Sequence, residues 1–366
     1  MRILVVTPWF PTANTPVSGV FVQREVEALA ADHDVRVLHL DWQRGAALPP
    51  ASRDGYAYRR VALSRMNPLA YLAARRTTAH LARDVDVVHT HALTVLVPWL
   101  LGRPGRRGQP WVHSEHWSGI SGPQTLGRGD RLALSALGPR LRAPDAVIAE
   151  SSRLAHAVGR YRAAEVDIVP CVVEASAVEE RVDDGVLRLL GVGGLIPRKG
   201  PLLAVQALSS LVERGVDARL TWVGTGPQRE EMLEEAARRG VTDRLRLTGA
   251  LDRWGVEAEF ARASVFLLPT QGDNFCVVVA EALLNGRPVV SGAATGAVDY
   301  SSPQVSRFVD VQSGPAYADA VLDIAGATAP LSAEDIAATV EGRFSRSAVA
   351  AQLTAILHRV SGGPHV

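Results

Sequence analysis

Residues 187–227 read LRLLGVGGLIPRKGPLLAVQALSSLVERGVDARLTWVGTGP, and this stretch decides the fold. Leu187 to Val192 is a short β-prone run, glycines follow it, a helical period starts near Pro201, and Arg219 to Val223 forms a second run closed by another glycine turn. Strand, turn, helix, strand is how a parallel sheet with crossover helices is written. Toward the N-terminus the same grammar yields candidate strands at Ile3 to Thr7, Val35 to Leu40, Val85 to His89, Trp111 to Ser114, Ala146 to Ala149 and Val166 to Val169. Toward the C-terminus it yields Leu245 to Thr248, Val265 to Leu268 and Pro288 to Ser291. The fold class read from this pattern is α/β with two Rossmann-like, doubly wound domains. Such sheets bind ligands at the C-terminal ends of their strands, so two of them facing one another make a central cleft for two substrates.

The 366 residues exceed the roughly 250–300 at which one hydrophobic core stops growing, which agrees with two domains. With 47% apolar and 21% charged residues, the composition is that of a globular protein rather than a disordered one. The longest apolar run near a helix, Thr94 to Leu101, contains Pro98 and is far shorter than the roughly 20 residues that cross a bilayer. The opening MRILVVTPWF lacks a secretory pattern, so the expected compartment is the cytoplasm. Cys171 and Cys276 lie far apart without metal-type spacing and read as two buried thiols.

The stretch from Cys171 to Asp184 is acidic and without a strong period, and reads as the linker. The expected domains are therefore 1–181, 182–344 and a closing helix over 345–366. In that helix Val349, Leu353, Ile356, Leu357 and Val360 share one face, which must pack on something, expected to be the N-terminal domain. Charge divides unevenly: residues 1–170 hold 21 Arg against 14 Asp plus Glu, a net +7, and the remainder is −6. Arg59, Arg60, Arg65, Arg75, Arg76, Arg103, Arg106 and Arg107 favour an anionic acceptor or a peripheral contact with an acidic membrane face; solvated surface charge gives the same pattern.

Three motifs carry chemistry. The first, GVGGLIPRKG from Gly191 to Gly200, places Arg198 and Lys199 where a diphosphate needs neutralising, with Gly194 in the turn. Lys199 is the only lysine; the other 38 basic residues are arginine, which suggests that this position needs a compact, flexible ammonium. The second, GTGP from Gly224 through Gly226 to Pro227, is a glycine turn that either exposes N–H groups to an anion or serves packing. The third is QGDNFCVVVAEALLNGRPVV from Gln271 to Val290. Asp273 precedes a predicted helix and Glu281 lies within it; eight helical residues span roughly 12 Å, about the length of a diphosphate with a sugar at each end. The two carboxylates would accept from sugar hydroxyls, while the N–H groups of Phe275, Cys276 and Val277 face phosphates, and Asn274 is a further donor-binding candidate. An N-cap aspartate and a solvated helical glutamate would give the same pattern.

These motifs resemble the nucleotide-binding half of the family 4 glycosyltransferases (group 1), whose pattern is a VGRL turn with a downstream KG, a VGxGP turn, a strand ending in glycine, and E-x7-E followed by EAxxxGxPVV. The chain reads VGGL with RKG, VGTGP, LRLTGAL, and Asp273 to Glu281 followed by EALLNGRPVV. SGVFVQREVEALA, DVVHTH, HSEHWSG, APDAVIAES and RFSRSAVAAQL extend the likeness over nearly the whole chain. The resemblance implies a GT-B fold and an enzyme that moves a hexosyl-type sugar, with retention, from a nucleotide-diphosphate sugar to a hydroxyl acceptor. The donor is expected to be a UDP- or GDP-sugar, and the acceptor a sugar, a natural product or a lipid-linked molecule. No cofactor, metal or nucleic acid is expected.

The resemblance assigns Lys199 to the leaving diphosphate, Asp273 to the donor sugar and Glu281 to the ribose. It sets His116 near the sugar, and Gly19, in the PVSGVFV turn, close to a donor phosphate or the acceptor. Two positions depart from the family: Asp273 stands for a glutamate, and Gly194 for an arginine. A sugar-nucleotide epimerase of the same fold and a binder that has lost catalysis are the rival readings. His89, His91, His113 and His116 fall near two strand ends, and His-only spacing of this kind reads as hydrogen-bonded structure rather than a metal site.

Overall fold

The computed structural model describes residues 1–13, 15, 18–42, 52–53, 55–64, 67–174, 178–182 and 184–362. The chain forms two compact units, Met1–Val172 together with Phe344–Val366, and Val173–Arg343. Arg65, counted above with the basic residues, lies outside the described residues.

In the first unit the strands are β1 (Arg2–Thr7), β2 (Asp34–Asp41), β3 (Ser52–Arg53), β4 (Tyr56–Ala62), β5 (Val87–His91), β6 (Trp111–Glu115), β7 (Ala146–Ala149) and β8 (Asp167–Ile168). The helices α1 (Val20–Ala30), α2 (Pro68–Leu81), α3 (Ser118–Ser121), α4 (Arg128–Leu137) and α5 (Ser152–Gly159) connect them. The sheet order is β3-β4-β2-β1-β5-β6-β7-β8, parallel except for β3 on β4. Chain direction across the sheet reverses between β1 and β5, the switch point at which such sheets hold ligands. Ile3 and Val5 of β1 enter one core and Leu4 and Val6 the opposite one, the mark of a parallel strand covered on both faces.

In the second unit β9 (Leu187–Val192), β10 (Ala218–Val223), β11 (Leu245–Gly249), β12 (Val265–Leu268), β13 (Val289–Gly292) and β14 (Ser306–Val309) form one parallel sheet in the order β11-β10-β9-β12-β13-β14. This is the 3-2-1-4-5-6 order of a dinucleotide-binding fold, with its switch point between β9 and β12. The helices here are α6 (Pro201–Glu213), α7 (Arg229–Arg238), α8 (Arg253–Arg262), α9 (Val277–Leu284), α10 (Gly314–Ala327) and α11 (Ala333–Ala338). The last helix, α12 (Arg346–Ser361), belongs to the first unit. Ser345 caps it, and Val349, Leu353, Ile356 and Leu357 share a core with Val22, Val26 and Leu29 of α1. No helix among the described residues is long and apolar enough to cross a membrane.

The structure departs from the sequence reading in four places. The units part between Val172 and Val173 and again between Arg343 and Phe344, rather than at 181–182 and 344–345. The acidic stretch is not a free linker, because the fully buried Arg287 donates to the Glu179 carbonyl, Arg181 to the Thr328 and Leu331 carbonyls, and the Ala333 N–H to Glu180. β4 and β14 went unread, since their arginines interrupt the apolar signal. Arg60 in particular is not surface charge: it is buried and ion-paired to the equally buried Asp41 of β2. Finally, β5 runs two residues later than read, which encloses both His89 and His91 completely.

Candidate functional site

In the second unit, the turn after β9 and the turn after β10 lie against each other. Leu195 N–H donates to the Thr225 carbonyl at 3.0 Å, and Gln228 N–H to the Leu195 carbonyl at 3.0 Å. Gly224 has φ +140°, and a Cβ there would lie 2.1 Å from the Gly193 carbonyl oxygen; one on Gly226 would lie 2.4 Å from that of Leu195. The glycines of GTGP are thus required by the neighbouring backbone. Gly194 differs: a Cβ on it meets only the Thr225 carbonyl oxygen at 3.7 Å, an ordinary contact.

Residues 197–199 form a single tight turn before α6, and the loop after β12 is latched to it. Gln271 N–H donates to the Arg198 carbonyl at 2.8 Å, and the Arg198 guanidinium donates to the Gly272 carbonyl. The latch brings Lys199 Nζ to 2.5 Å from Asp273 Oδ2, with Arg198 Nη1 3.5 Å from the same oxygen. The Lys199 and Asp273 side chains are only 15% and 20% exposed. Burial works against the Lys199 charge, but Asp273 outweighs it and the ammonium titrates above its ordinary value. Burial likewise opposes the Asp273 charge, and Lys199 outweighs it, holding the carboxyl below the ordinary range. The ammonium read as free for a diphosphate therefore has an internal partner, and Asp273 is the centre of an ion-paired loop.

The helix geometry read for the third motif is corrected. Asn274, Phe275 and Cys276 are not helical, and Asp273 Oδ1 accepts from the Cys276 N–H at 3.1 Å. Only the span from Val277 to Glu281 is helix, about 6 Å at the usual rise, half the 12 Å expected. Cys276 holds a left-handed conformation at φ +65°, which costs a non-glycine residue energy, and the Tyr300 hydroxyl donating to its carbonyl at 2.8 Å helps to hold it there. Burial, then Asp273, pushes its thiol up to about 12. Asn274, Phe275 and Cys276 are buried, whereas Val277 and Glu281 are half-buried on the first two turns of α9.

In the first unit Gly19 precedes α1 at φ +71°, and a Cβ there would lie 2.4 Å from the Trp9 backbone, so its glycine is demanded by that crossing. Past it, α1 lays Glu25 beside the end of β5. His116 packs its ring 4.8 Å from that of Phe21, shares a hydrogen bond with His91 Nδ1 at 3.2 Å, and reaches Glu150 Oε2 at 3.0 Å. Burial opposes its charge, but the Glu150 bond outweighs that and raises its pKa. Burial pushes Glu25 up to about 7, and lowers His89 to about 3 and His91 well below its usual value. His113 is turned away, bonded to Thr90 at 2.8 Å and Glu115 at 3.2 Å. The spacing of the histidines did not reveal Glu25 or Glu150. The available signal was a carboxylate among the apolar positions Val22, Val26 and Leu29 of α1.

Comparison with known proteins places both halves. The model for "Glycosyltransferase Family 4" matches residues 18–177, and that for "Glycosyl transferases group 1" matches residues 187–326. The chain is 28% identical over 256 residues to 2-deoxystreptamine glucosyltransferase of Streptomyces kanamyceticus; the match takes in 63% of the chain and 66% of that protein, just under two thirds of its length. Among solved structures, sucrose-phosphate synthase from Thermosynechococcus elongatus superposes with a TM-score of 0.76 at 19% identity, covering 99% of this chain and 100% of that one. HepE of Anabaena, solved in complex with UDP and glucose, gives 0.72 at 16% identity over 98% and 99% of the two chains. With two Rossmann-like units in the GT-B arrangement of elements and a family match across each of them, the chain belongs to the family 4 (group 1) glycosyltransferases.

Proposed function

We propose that the protein is a retaining glycosyltransferase that moves a hexosyl-type sugar from a UDP- or GDP-sugar to a hydroxyl acceptor. The second unit takes the nucleotide sugar and the first unit takes the acceptor. The observation that carries this reading is the Lys199–Asp273 pair at the switch point of the second sheet, beside the first turn of α9. An ammonium has three donors, and Lys199 uses one on Asp273. The other two serve the diphosphate, where charge develops as the donor bond breaks, and Arg198 adds a second cation. The first N–H groups of α9, at Val277 and Val278, have no partner within the helix and favour an anion. Glu281 accepts from the ribose and Asp273 orders the donor sugar through the pair it forms, while His116 and Gly19 are the residues of the first unit proposed to act on substrate.

In the reaction the bond from the anomeric carbon to the phosphate oxygen breaks, and a bond to the acceptor oxygen forms on the same face. The acceptor proton passes to the departing phosphate oxygen, so no side-chain base is required. Lys199 and Arg198 replace a divalent ion at the diphosphate, and turnover needs no added Mg²⁺ or Mn²⁺. The cytoplasm, where nucleotide sugars are made, is the proposed compartment. Exposed Leu69 and Leu72 on α2 and Leu132 on α4, set among arginines, suit a peripheral contact with an acidic lipid surface. HepE with UDP and glucose, and the glucosyltransferase named above, support the donor class.

A screen of nucleotide release with the full chain across UDP-, GDP- and ADP-sugars, with sugar and lipid acceptors, tests the reading. One donor base turning over without added divalent ion is the expected result. Tight donor binding with no release under any acceptor would favour the catalytically silent binder that Gly194 suggests, and no binding at all would overturn the proposal.

A further inference from the structure

At the end of β5, beside the switch point of the first sheet, two buried histidines and the half-buried Glu25 turn polar atoms toward one another. Glu25 Oε1 lies 3.8 Å from His89 Nδ1 and 3.6 Å from His91 Nε2, and all three atoms lie within 4.8 Å of each other. Both imidazoles are fully enclosed, and the Glu25 side chain is 13% exposed. Each of the three atoms is buried without a hydrogen-bond partner. Three unsatisfied buried polar atoms at one point demand a physical reason, because leaving even one unpaired costs about 1–3 kcal/mol.

The outer bonds of the two rings point to that reason. Ligation through Nε2 would put the His91 proton on Nδ1, donated to His116 Nε2 at 3.2 Å, and so requires the neutral form of His116, whose Nδ1–H donates to Glu150. Ser114 Oγ stands 2.8 Å from His89 Nε2, and in the tautomer in which that nitrogen donates to the hydroxyl the second lone pair is on Nδ1. With those two tautomers, two lone pairs and a carboxylate oxygen face one point. A single proton on Glu25 can bond to one ring only; a cation satisfies all three.

The geometry points to a site for one divalent transition-metal ion of the zinc class, held by Glu25 Oε1, His89 Nδ1 and His91 Nε2, which no comparison assigns. Two imidazoles and one carboxylate form a donor set typical of zinc with one open position. Ligand atoms on bonds of ~2.0–2.2 Å at tetrahedral angles stand roughly 3.3–3.6 Å apart; the two distances from Glu25 Oε1 come within a few tenths of an ångström of that, and the two ring nitrogens, no more than 4.8 Å apart, close by up to roughly 1.5 Å when the ion binds. The chain from His91 through His116 to Glu150 is the outer support that fixes ring tautomer and orientation in such sites. The fourth position goes to water or to an oxygen of a bound molecule. The ion belongs to the first unit, so the Lys199 reading of the diphosphate neither needs it nor falls with it.

The test is metal content rather than turnover. The full chain, stripped with a chelator and returned to buffer, is titrated with Zn²⁺ against a chromophoric chelator, and separately with Co²⁺ in the visible range. One ion per chain and the intense absorption of four-coordinate cobalt are expected. Glu25→Gln, close in shape, and His91→Gln should each abolish stoichiometric binding. Glu150→Gln, which removes a positioning residue only, should weaken affinity roughly 10–100-fold. His156→Gln, at an exposed surface histidine, should change nothing. The wild-type stoichiometry and cobalt spectrum decide the matter even if a variant misfolds. Folded wild type that binds neither ion, cobalt that keeps its six-coordinate spectrum, or Glu25→Gln and His91→Gln binding like wild type would each overturn the site and leave a proton relay in its place.

Discussion

Replacing Lys199 with alanine removes a cation from the diphosphate and, at the same time, strips Asp273 of its partner, and the two consequences can be measured separately. Breaking a fully buried ion pair by removing one member costs about 3–5 kcal/mol, mostly from the charge left behind. Here the side chains are 15% and 20% exposed, Arg198 stands 3.5 Å from the same oxygen, and the Cys276 N–H still donates to the other. These contacts roughly halve the cost, to about 2 kcal/mol. For a folding unit of this size that lowers the melting temperature by about 4–8 °C. Turnover should fall on the order of 100-fold or more, the usual effect of losing one preorganised charge at a developing anion. Lys199→Arg should recover part of the rate, because it keeps the charge on a bulkier planar group. The double variant Lys199→Ala/Asp273→Asn should regain about 1–2 kcal/mol of stability, since no orphaned carboxylate remains, yet stay as slow as Lys199→Ala. Scanning calorimetry and a nucleotide-release assay with saturating donor supply both readouts. Wild-type melting and turnover in Lys199→Ala, or wild-type turnover in the double variant, would refute the reasoning.

Gly194→Arg should fold normally, because a Cβ there meets only the Thr225 carbonyl oxygen at 3.7 Å, and should tighten UDP or GDP binding about 5-fold by calorimetry. In contrast, Gly224→Ala, with φ +140° and a Cβ 2.1 Å from the Gly193 carbonyl oxygen, should cost about 3 kcal/mol or more in denaturant melts. The Asp273 carboxyl titrates below its ordinary value, so its stabilisation is complete above the unfolded pKa near 3.9 and is lost as the pH falls through the lower folded value. The stability gap between wild type and Asp273→Asn should therefore hold steady from pH 8 to 5 and close below about 4; a gap that opens on acidification would contradict the pairing. Cys276 stands at a helix start, a position that lowers thiol pKa values, but burial prevails and holds it at about 12. Thiol reagents at pH 8 should leave it unmodified until denaturant is added, and rapid native labelling would show the loop to be open.

Periodicity and turn chemistry were legible in the chain because they are local. Strands such as Leu187–Val192 and Val265–Leu268 stand where the apolar runs placed them, and the family motifs recognised both halves. β4 was missed since Arg60, written like a surface cation, is a buried partner of Asp41, and charge type alone does not tell where a strand will face. The shift of β5 by two residues had the larger consequence: it enclosed His89 and His91 and turned them toward Glu25.

By itself the sequence determined two doubly wound halves, the glycine turns and the unusual status of the one lysine, all properties of residues near each other along the chain. Only the tertiary structure decided that Lys199 is paired with Asp273 across 74 residues, that the carboxylate-bearing helix starts at Val277 rather than directly after Asp273, and that Glu25 comes together with two histidines. In both units these partners meet where the strand order reverses, β9 beside β12 and β1 beside β5. That adjacency is set by which strands share a sheet edge, a choice made by the packing of whole crossover units, and no local pattern of side chains records it.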